Sequence, residues 1–156
     1  MALAAGTKAP DFKLFNTDKK EVSLSDFAGK NLIIHFFPAA FTGVCTEQLC
    51  SSRDDLAYYN NFNASVVGVS VDMLFSLGVF KEKNGITFDL LSDFNKKLIR
   101  DYDMFLPTFA FGYEGVAKRG VVLIDKAGIV QYSETTASPG EQVNFTALKE
   151  AVEKLN

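Results

Sequence analysis

The residues best suited to chemistry in this sequence are its two cysteines, Cys45 and Cys50. Cys45 completes the pattern Pro38-x-x-x-Thr42-x-x-Cys45, where an apolar run gives way to helical composition. The first backbone N–H groups of a helix lack partners within the helix and lie at the positive end of its dipole. Both features stabilise a thiolate, the nucleophilic form of cysteine. The position therefore predicts a reactive thiolate at Cys45, with a small buried apolar side chain as the alternative.

Thr42 and Pro38 each have two interpretations. The Thr42 hydroxyl lies at N-cap distance from Cys45, so it can either cap the helix or bond a bound substrate. Pro38 can shield a pocket and fix the exit of the chain from a strand, or it can simply end that strand.

The elements that must position Cys45 alternate between strands and helices. Residues 31–37 and 64–71 are continuous apolar runs of strand length, which predicts strands buried on both faces. Helices are predicted at about 42–60, 73–83, 95–102 and 141–155. Further strands are predicted at 12–15, 21–24, 88–91, 120–125 and 129–133, with one helical turn at 25–29.

This order predicts a three-layer α/β fold: a central mixed sheet flanked by helices, with an N-terminal β-hairpin. We expect residues 1–156 to form one domain. Ligands of such sheets bind where a strand's carboxyl end meets the start of the next helix, which here is residues 37–46.

Composition excludes several other classes of function. The 156 residues are 47% hydrophobic and 22% charged, as in globular proteins. A net charge of −3 argues against nucleic-acid or anionic-membrane partners, which require concentrated positive charge. One histidine and two cysteines are too few for the usual zinc sites, so we expect no metal. The chain has no membrane-spanning apolar run and no basic leader, so we expect a cytoplasmic protein.

The motif Pro38-x-x-x-Thr42-x-x-Cys45 resembles the active-site loop of the peroxiredoxins, the alkyl hydroperoxide reductase/thiol-specific antioxidant superfamily. Other parts of the sequence agree, namely Phe36-Phe37, Ser70-Val71-Asp72, and Arg119 directly before residues 120–125. The resemblance spans residues 9–152. It implies a thioredoxin-like fold and thiol-dependent reduction of peroxides, with no metal or organic cofactor.

Carried over position by position, the resemblance implies a role for each motif residue. Cys45 matches the peroxidatic cysteine, and Thr42 matches the residue that hydrogen-bonds the peroxide. Pro38 matches the residue that shields the thiolate, and Arg119 matches the arginine that steadies thiolate and peroxide. We prefer Arg119 to Lys118 because a planar guanidinium can hold sulfur and oxygen at once. The alternative for Arg119 is an exposed ion pair.

Cys50 lies five residues after Cys45, in a segment that resembles the bacterioferritin-comigratory-protein or Q-type branch. That branch often has its resolving cysteine at this spacing. In an α-helix, residues five apart have Cα atoms about 8.7 Å apart, whereas a disulfide requires less than about 7 Å. A resolving role for Cys50 therefore requires the helix to unwind in every cycle. The alternative is a buried apolar Cys50, with an external thiol resolving Cys45.

Several further residues have a functional and a structural interpretation. Gln48 occupies a position where the family has Glu or Gln bonded to backbone near the site, and a solvated helix residue is the alternative. We interpret His35 as a hydrogen-bonded core histidine rather than a base. The resemblance places Phe41 and Phe80 among pocket-lining aromatics, with core packing as the alternative. The aromatic stretch 105–111 is predicted to form a pocket wall, a dimer face or core, and an apolar wall favours organic hydroperoxides.

Together these observations predict a thiol peroxidase that acts on hydrogen peroxide and organic hydroperoxides. Cys45 is the nucleophile, Cys50 resolves it, and a thioredoxin-like protein supplies electrons. The alternatives are a one-Cys enzyme recycled by a small thiol or glutaredoxin, a peroxide-sensing switch or holdase, and a scaffold without chemistry. We expect a monomer or a homodimer.

Overall fold

The two runs predicted as buried strands lie side by side in the middle of a seven-stranded sheet. The computed structural model describes residues 3–155. Its strands are β1 (Lys13–Asn16), β2 (Glu21–Ser23), β3 (Asn31–Phe36), β4 (Ala64–Ser70), β5 (Asp89–Ser92), β6 (Phe105–Thr108), β7 (Glu114–Ala117), β8 (Gly120–Ile124) and β9 (Val130–Thr135). The sheet order is β2-β1-β5-β4-β3-β8-β9, with β3 parallel to β4 and antiparallel to β8.

Helices cover both faces of this sheet, as the sequence predicts. They are α1 (Gly43–Asp54), α2 (Leu56–Asn61), α3 (Leu74–Lys83), α4 (Lys97–Asp101) and α5 (Phe145–Lys154). Successive side chains of a strand point to opposite faces. Accordingly Leu32 and Ile34 of β3 join one buried cluster, which contains residues of α4. Ile33, on the other face, joins a second cluster that contains residues of α1, α2, α3 and α5.

The stretch predicted as one helix over about 42–60 forms two helices, so its predicted continuity is wrong. Asp55 lies between α1 and α2 with φ −97° and ψ 8°, and neither glycine nor proline marks the break. Beyond the break Tyr59 is fully buried, and the Asp55 carboxylate pairs with Lys149 of α5 at 2.9 Å. Tertiary packing, rather than local propensity, therefore ends α1.

Residues 105–117, for which no strand is predicted, form the strands β6 and β7 of a separate antiparallel ribbon. Pro107 lies within β6, and proline is tolerated in strands only at edges such as this one. The ribbon turns through the short helical segment Ala110–Gly112, where Phe111 has a φ of 61° and is 94% exposed. The pairing of β6 with β7 depends on the register between two segments that lack clear alternation of apolar and polar residues. Hydrophobic periodicity in the sequence therefore does not reveal it.

The remaining predicted elements are present, with small changes at their ends. α5 begins at Phe145 rather than near residue 141, because the Asn144 side chain caps it by accepting from the Ala147 N–H. The predicted hairpin of 120–125 and 129–133 is formed by β8 and β9. The predicted helical turn at 25–29 is the short 3₁₀ segment Leu24–Phe27.

Candidate active site

Cys45 is positioned by the junction between β3 and α1. The strand ends at Phe36, Pro38 lies in a buried bend, and α1 begins at Gly43 with Thr42 as its N-cap residue. Cys45 is thus the third residue of the helix and is fully buried. Its side chain belongs to the first turn, where backbone N–H groups lack partners within the helix.

The loop between β3 and α1 is held by Asp72, which follows β4. The Asp72 carboxylate accepts from the Ala40 N–H at 2.9 Å and from the Ser70 hydroxyl at 2.6 Å. Within the same loop Phe41 has a φ of 70°, in the left-handed region that non-glycine residues rarely adopt. Strained backbone of this kind persists where surrounding contacts fix it, as they do here.

Arg119 is the cation that contacts the Cys45 sulfur. Its Nη2 lies 3.2 Å from Cys45 Sγ, and the residue is only 3% exposed. A guanidinium at this distance stabilises a thiolate and offers N–H groups to oxygen bound beside it. The exposed ion pair considered for Arg119 is therefore wrong, and Arg119 rather than Lys118 has the predicted position.

The guanidinium of Arg119 is fixed by two further partners. Its Nε and Nη2 both donate to the Pro139 carbonyl, at 2.9 and 2.8 Å, and its Nη1 donates to Gln48 Oε1 at 2.9 Å. A guanidinium held by several partners presents its fork without having to reorient during a reaction.

Gln48 lies fully buried one helical turn after Cys45, so the solvated-helix alternative is wrong. Its Nε2 lies 3.3 Å from both the Phe36 and the Gly120 carbonyl oxygens and 3.0 Å from His35 Nδ1. The amide nitrogen thus faces acceptors, while the amide oxygen faces Arg119. Contact with backbone near the site is what the resemblance implies for this position.

His35 is a core histidine with both ring nitrogens bonded, as predicted. Nδ1 faces Gln48 and Nε2 lies 2.8 Å from the Ser52 hydroxyl. Complete burial lowers the pKa of His35 from 6.5 to about 3, because desolvation disfavours the imidazolium. The ring is therefore neutral at physiological pH.

The Thr42 hydroxyl does not cap α1, so the simple capping alternative is wrong. It donates to the Ala39 carbonyl at 2.9 Å and forms no cap bond. Because its proton is used in this way, the hydroxyl oxygen keeps lone pairs that can accept from a bound hydroperoxide.

A cavity of about 490 Å³ opens beside these groups. Its walls combine the polar Thr42 and Arg119 with Val44, Phe109 and Pro139. The residues that line it include neither of the predicted aromatics. Phe80 is instead fully buried against Phe37, and Phe41 is 52% exposed with its ring edge-on to Phe80. Part of the stretch 105–111 does line the cavity, through Thr108, Phe109 and Ala110.

Three residues that contact the site were missed by sequence reasoning. They are Pro139, which accepts from Arg119; Gln142, whose Nε2 donates to the Val44 carbonyl at 3.2 Å; and Ser52. The pair Pro139-Gly140 is a turn signal, but a turn signal does not reveal where its carbonyl points. Ser52 lies seven residues after Cys45, which is two helical turns and therefore a related face of α1.

Cys50 lies in the same intact helix as Cys45, and both cysteines are free thiols. Cys50 is half-buried, with its Sγ 3.9 Å from Asn84 Oδ1. The Arg53 side chain of α1 also donates to the Asn84 carbonyl. This end of the helix is thus attached to the end of α3.

Within residues 3–155, His, Cys, Asp and Glu side chains form no group of three or more that would suit a metal ion. In the same residues, no helix is long and apolar enough to cross a bilayer.

The fold and the thiol–guanidinium pair define a class of protein. The crystal structure of a peroxiredoxin-like protein from Aquifex aeolicus matches with a TM-score of 0.89, covering 100% of this chain and 90% of that one at 24% identity. At that identity the likeness establishes the fold alone, which is thioredoxin-like. On this fold, Cys45 lies buried at the start of a helix that follows a central strand, in contact with Arg119.

The chain belongs to the AhpC/TSA family, whose model matches residues 5–133. It is 37% identical over 130 residues to peroxiredoxin Bcp of Bacillus subtilis, covering 82% of each protein. It is equally identical over 130 residues to chloroplastic peroxiredoxin Q of Triticum aestivum, covering 83% of this chain and 58% of that one. The predicted likeness to the Q-type branch is confirmed, and the chain is a peroxidase that uses a thiol reductant.

Proposed function

We propose that this protein reduces hydrogen peroxide and organic hydroperoxides by a two-cysteine mechanism, with Cys45 attacking the peroxide and Cys50 resolving the product. The observation that carries the proposal is the 3.2 Å contact between Arg119 Nη2 and Cys45 Sγ. It combines a stabilised nucleophile with a fixed donor for the departing oxygen.

In the first step the Cys45 thiolate attacks the nearer peroxide oxygen. A sulfur–oxygen bond forms as the oxygen–oxygen bond breaks, and the leaving oxygen takes a proton to depart as water or an alcohol. Sulfur is oxidised by two electrons to a sulfenic acid. Arg119 contacts the buried sulfur and, together with Thr42, lines the adjacent cavity. We therefore assign these two residues to hold the peroxide. Pro38, in the buried bend beside them, shields the thiolate.

In the second step the Cys50 sulfur attacks the sulfenic sulfur, forming a disulfide and releasing water. Both cysteines lie in the intact α1, where a spacing of five residues separates the Cα atoms by about 8.7 Å. A disulfide requires less than about 7 Å. The start of α1 must therefore unwind before the bond forms, and a thioredoxin-like dithiol then reduces the disulfide.

The mass of the reduced protein, seconds after one equivalent of hydrogen peroxide, tests this proposal. We expect the loss of two hydrogens, mapped to a Cys45–Cys50 disulfide. A gain of oxygen confined to Cys45 would replace the two-cysteine mechanism with a one-cysteine enzyme. An unchanged mass would contradict peroxidase activity at Cys45.

Turnover of Cys50→Ser with a thioredoxin system separates the two mechanisms again. We expect sulfenic acid to form at the wild-type rate and turnover with thioredoxin to be lost. Unchanged turnover, or recovery with glutaredoxin or a small thiol alone, would favour the one-cysteine alternative.

We also propose a cytoplasmic location and either a monomer or a homodimer. The acidic composition, with a net charge of −3, is compatible with the location. Fractionation of cells and sedimentation of the reduced protein test these two statements.

A further inference from the structure

Behind Gln48, a buried chain of hydrogen bonds continues beyond the groups used in the mechanism. Arg119 Nη1 donates to Gln48 Oε1 at 2.9 Å, Gln48 Nε2 lies 3.0 Å from His35 Nδ1, and His35 Nε2 lies 2.8 Å from Ser52 Oγ. The chain ends where Ser52 Oγ donates to the Gln48 carbonyl at 3.1 Å. All four residues are at most 3% exposed, so water does not compete for these bonds.

The direction of each bond follows from Arg119, whose guanidinium can only donate. Gln48 Oε1 accepts from Arg119, so the Gln48 amide nitrogen is the group that donates to His35 Nδ1. His35 is then the Nε2–H tautomer and donates to the Ser52 oxygen, which leaves the single Ser52 proton for the Gln48 carbonyl.

We propose that His35 and Ser52 are positioning residues for the peroxidatic centre. By accepting from His35 Nε2, Ser52 stabilises the one tautomer of His35 that can accept from the Gln48 amide. The two residues thereby support the amide orientation that presents its oxygen to the guanidinium contacting Cys45. The inference deepens the proposed function and rests on Cys45 being the peroxidatic residue.

The opposite tautomer shows why the orientation matters. It would place an Nδ1–H against the Gln48 amide hydrogens at a nitrogen–nitrogen distance of 3.0 Å. Two donors that face each other in a buried site are unfavourable. If the Gln48 amide turned over to avoid this contact, its nitrogen would face the Arg119 guanidinium, which is also a donor. The Phe36 and Gly120 carbonyls, each 3.3 Å from Gln48 Nε2, oppose that turn. The amide is therefore held by three acceptors, of which His35 is the nearest.

The first test is the tautomer of His35 in the wild-type protein. Because the sequence has one histidine, nitrogen-15 NMR of histidine-labelled protein reports this ring alone. We expect the Nε2–H tautomer, with the ring still neutral at pH 5. The Nδ1–H tautomer or an averaged spectrum would overturn the proposal without any variant.

The second test compares Ser52→Ala with Ser51→Ala, a half-buried neighbour on the same helix. For Ser52→Ala we expect loss of the single tautomer, and about three- to tenfold slower sulfenic acid formation. We also expect slower iodoacetamide alkylation of Cys45. Ser51→Ala should match wild type in all three readouts.

A merely structural role for Ser52 predicts a different result. Ser52→Ala would then lower the melting temperature but leave the tautomer, the reaction rate and the alkylation rate unchanged, which would overturn the proposal. If wild-type protein shows the expected tautomer but no reaction with peroxide, the proposed function fails, and the positioning role fails with it. Only the assigned directions of the buried hydrogen bonds would then remain valid.

Discussion

Gln48 connects the guanidinium beside the Cys45 sulfur to backbone and side-chain groups inside the sheet. Its amide oxygen accepts from Arg119, and its amide nitrogen faces His35 and two backbone carbonyls. A glutamate at this position would place a carboxylate oxygen against the Phe36 and Gly120 carbonyls, and His35 would have to take its other tautomer to donate to it, so these surroundings favour the amide. The position of Arg119 is therefore determined by groups on β3, β8 and α1 together.

Arg119→Lys is expected to slow sulfenic acid formation by about two orders of magnitude. Lysine keeps the charge but replaces a planar fork that contacts Cys45, Gln48 and Pro139 with a single ammonium. Stopped-flow measurement of the first turnover gives the rate directly. Lys118→Met is the matched control, and a rate for Arg119→Lys within twofold of wild type would contradict the assignment.

Because His35 is buried as a neutral ring, we expect the free energy of unfolding to depend on pH. Its pKa is lowered from 6.5 to about 3 by burial, so between these values the unfolded chain binds a proton that the folded chain does not. This contribution is fully present above pH 6.5 and is lost as the pH falls towards 3, by up to about 1.4 kcal/mol per unit. In urea unfolding, the wild type should lose about 2 kcal/mol more than His35→Gln between pH 7 and pH 5. Equal losses would show that His35 is not buried as a neutral ring.

At the scale of the helices and strands, the sequence predicts the elements that a short stretch of residues is enough to identify. The unalternated runs of β3 and β4 and the turn between β8 and β9 are of this kind. The break at Asp55 and the β6–β7 ribbon depend on packing between distant segments, which one sequence does not display. The residues of the site fall into the same two groups. Cys45 and Thr42 could be predicted from the motif and Arg119 from the family resemblance. Pro139 and Ser52 could not, because they contribute through contacts that no spacing in the sequence indicates.

The loop before α5 restrains the first turn of α1 through the hydrogen bond that Gln142 Nε2 donates to the Val44 carbonyl. If α1 unwinds during resolution, this bond must break. Since one such bond contributes about 1 kcal/mol, Gln142→Ala should form the Cys45–Cys50 disulfide about fivefold faster. Rapid-quench mass analysis measures that rate.

Gln131→Ala provides the control, because the exposed Gln131 bonds Asp125 instead. An unchanged or slower rate in Gln142→Ala would mean that the loop does not restrain α1.

At the scale of the whole molecule, both faces of the sheet carry a buried cluster, and α1 closes one of them. Cys45, Gln48, Leu49 and Ser52 are the buried residues of α1. Unwinding the start of this helix therefore removes packing from the core as well as local hydrogen bonds.

The oxidised protein should consequently melt a few degrees below the reduced protein. A disulfide across five residues restricts the unfolded chain by only about 2 kcal/mol, and exposing even two buried side chains costs more than that. Calorimetry of the reduced and disulfide forms measures the difference. A higher melting temperature for the disulfide form would indicate that α1 stays folded when the bond is present.

The 74 residues that separate Cys45 from Arg119 also have a consequence during synthesis. At about 5–20 residues per second, a growing chain carries the cysteine for roughly ten seconds before the arginine is added. Throughout that interval the sulfur lacks the guanidinium that contacts it in the folded protein. If Cys45 is the peroxidatic residue, we therefore expect nascent chains to react slowly with peroxide until β8 has paired with β3.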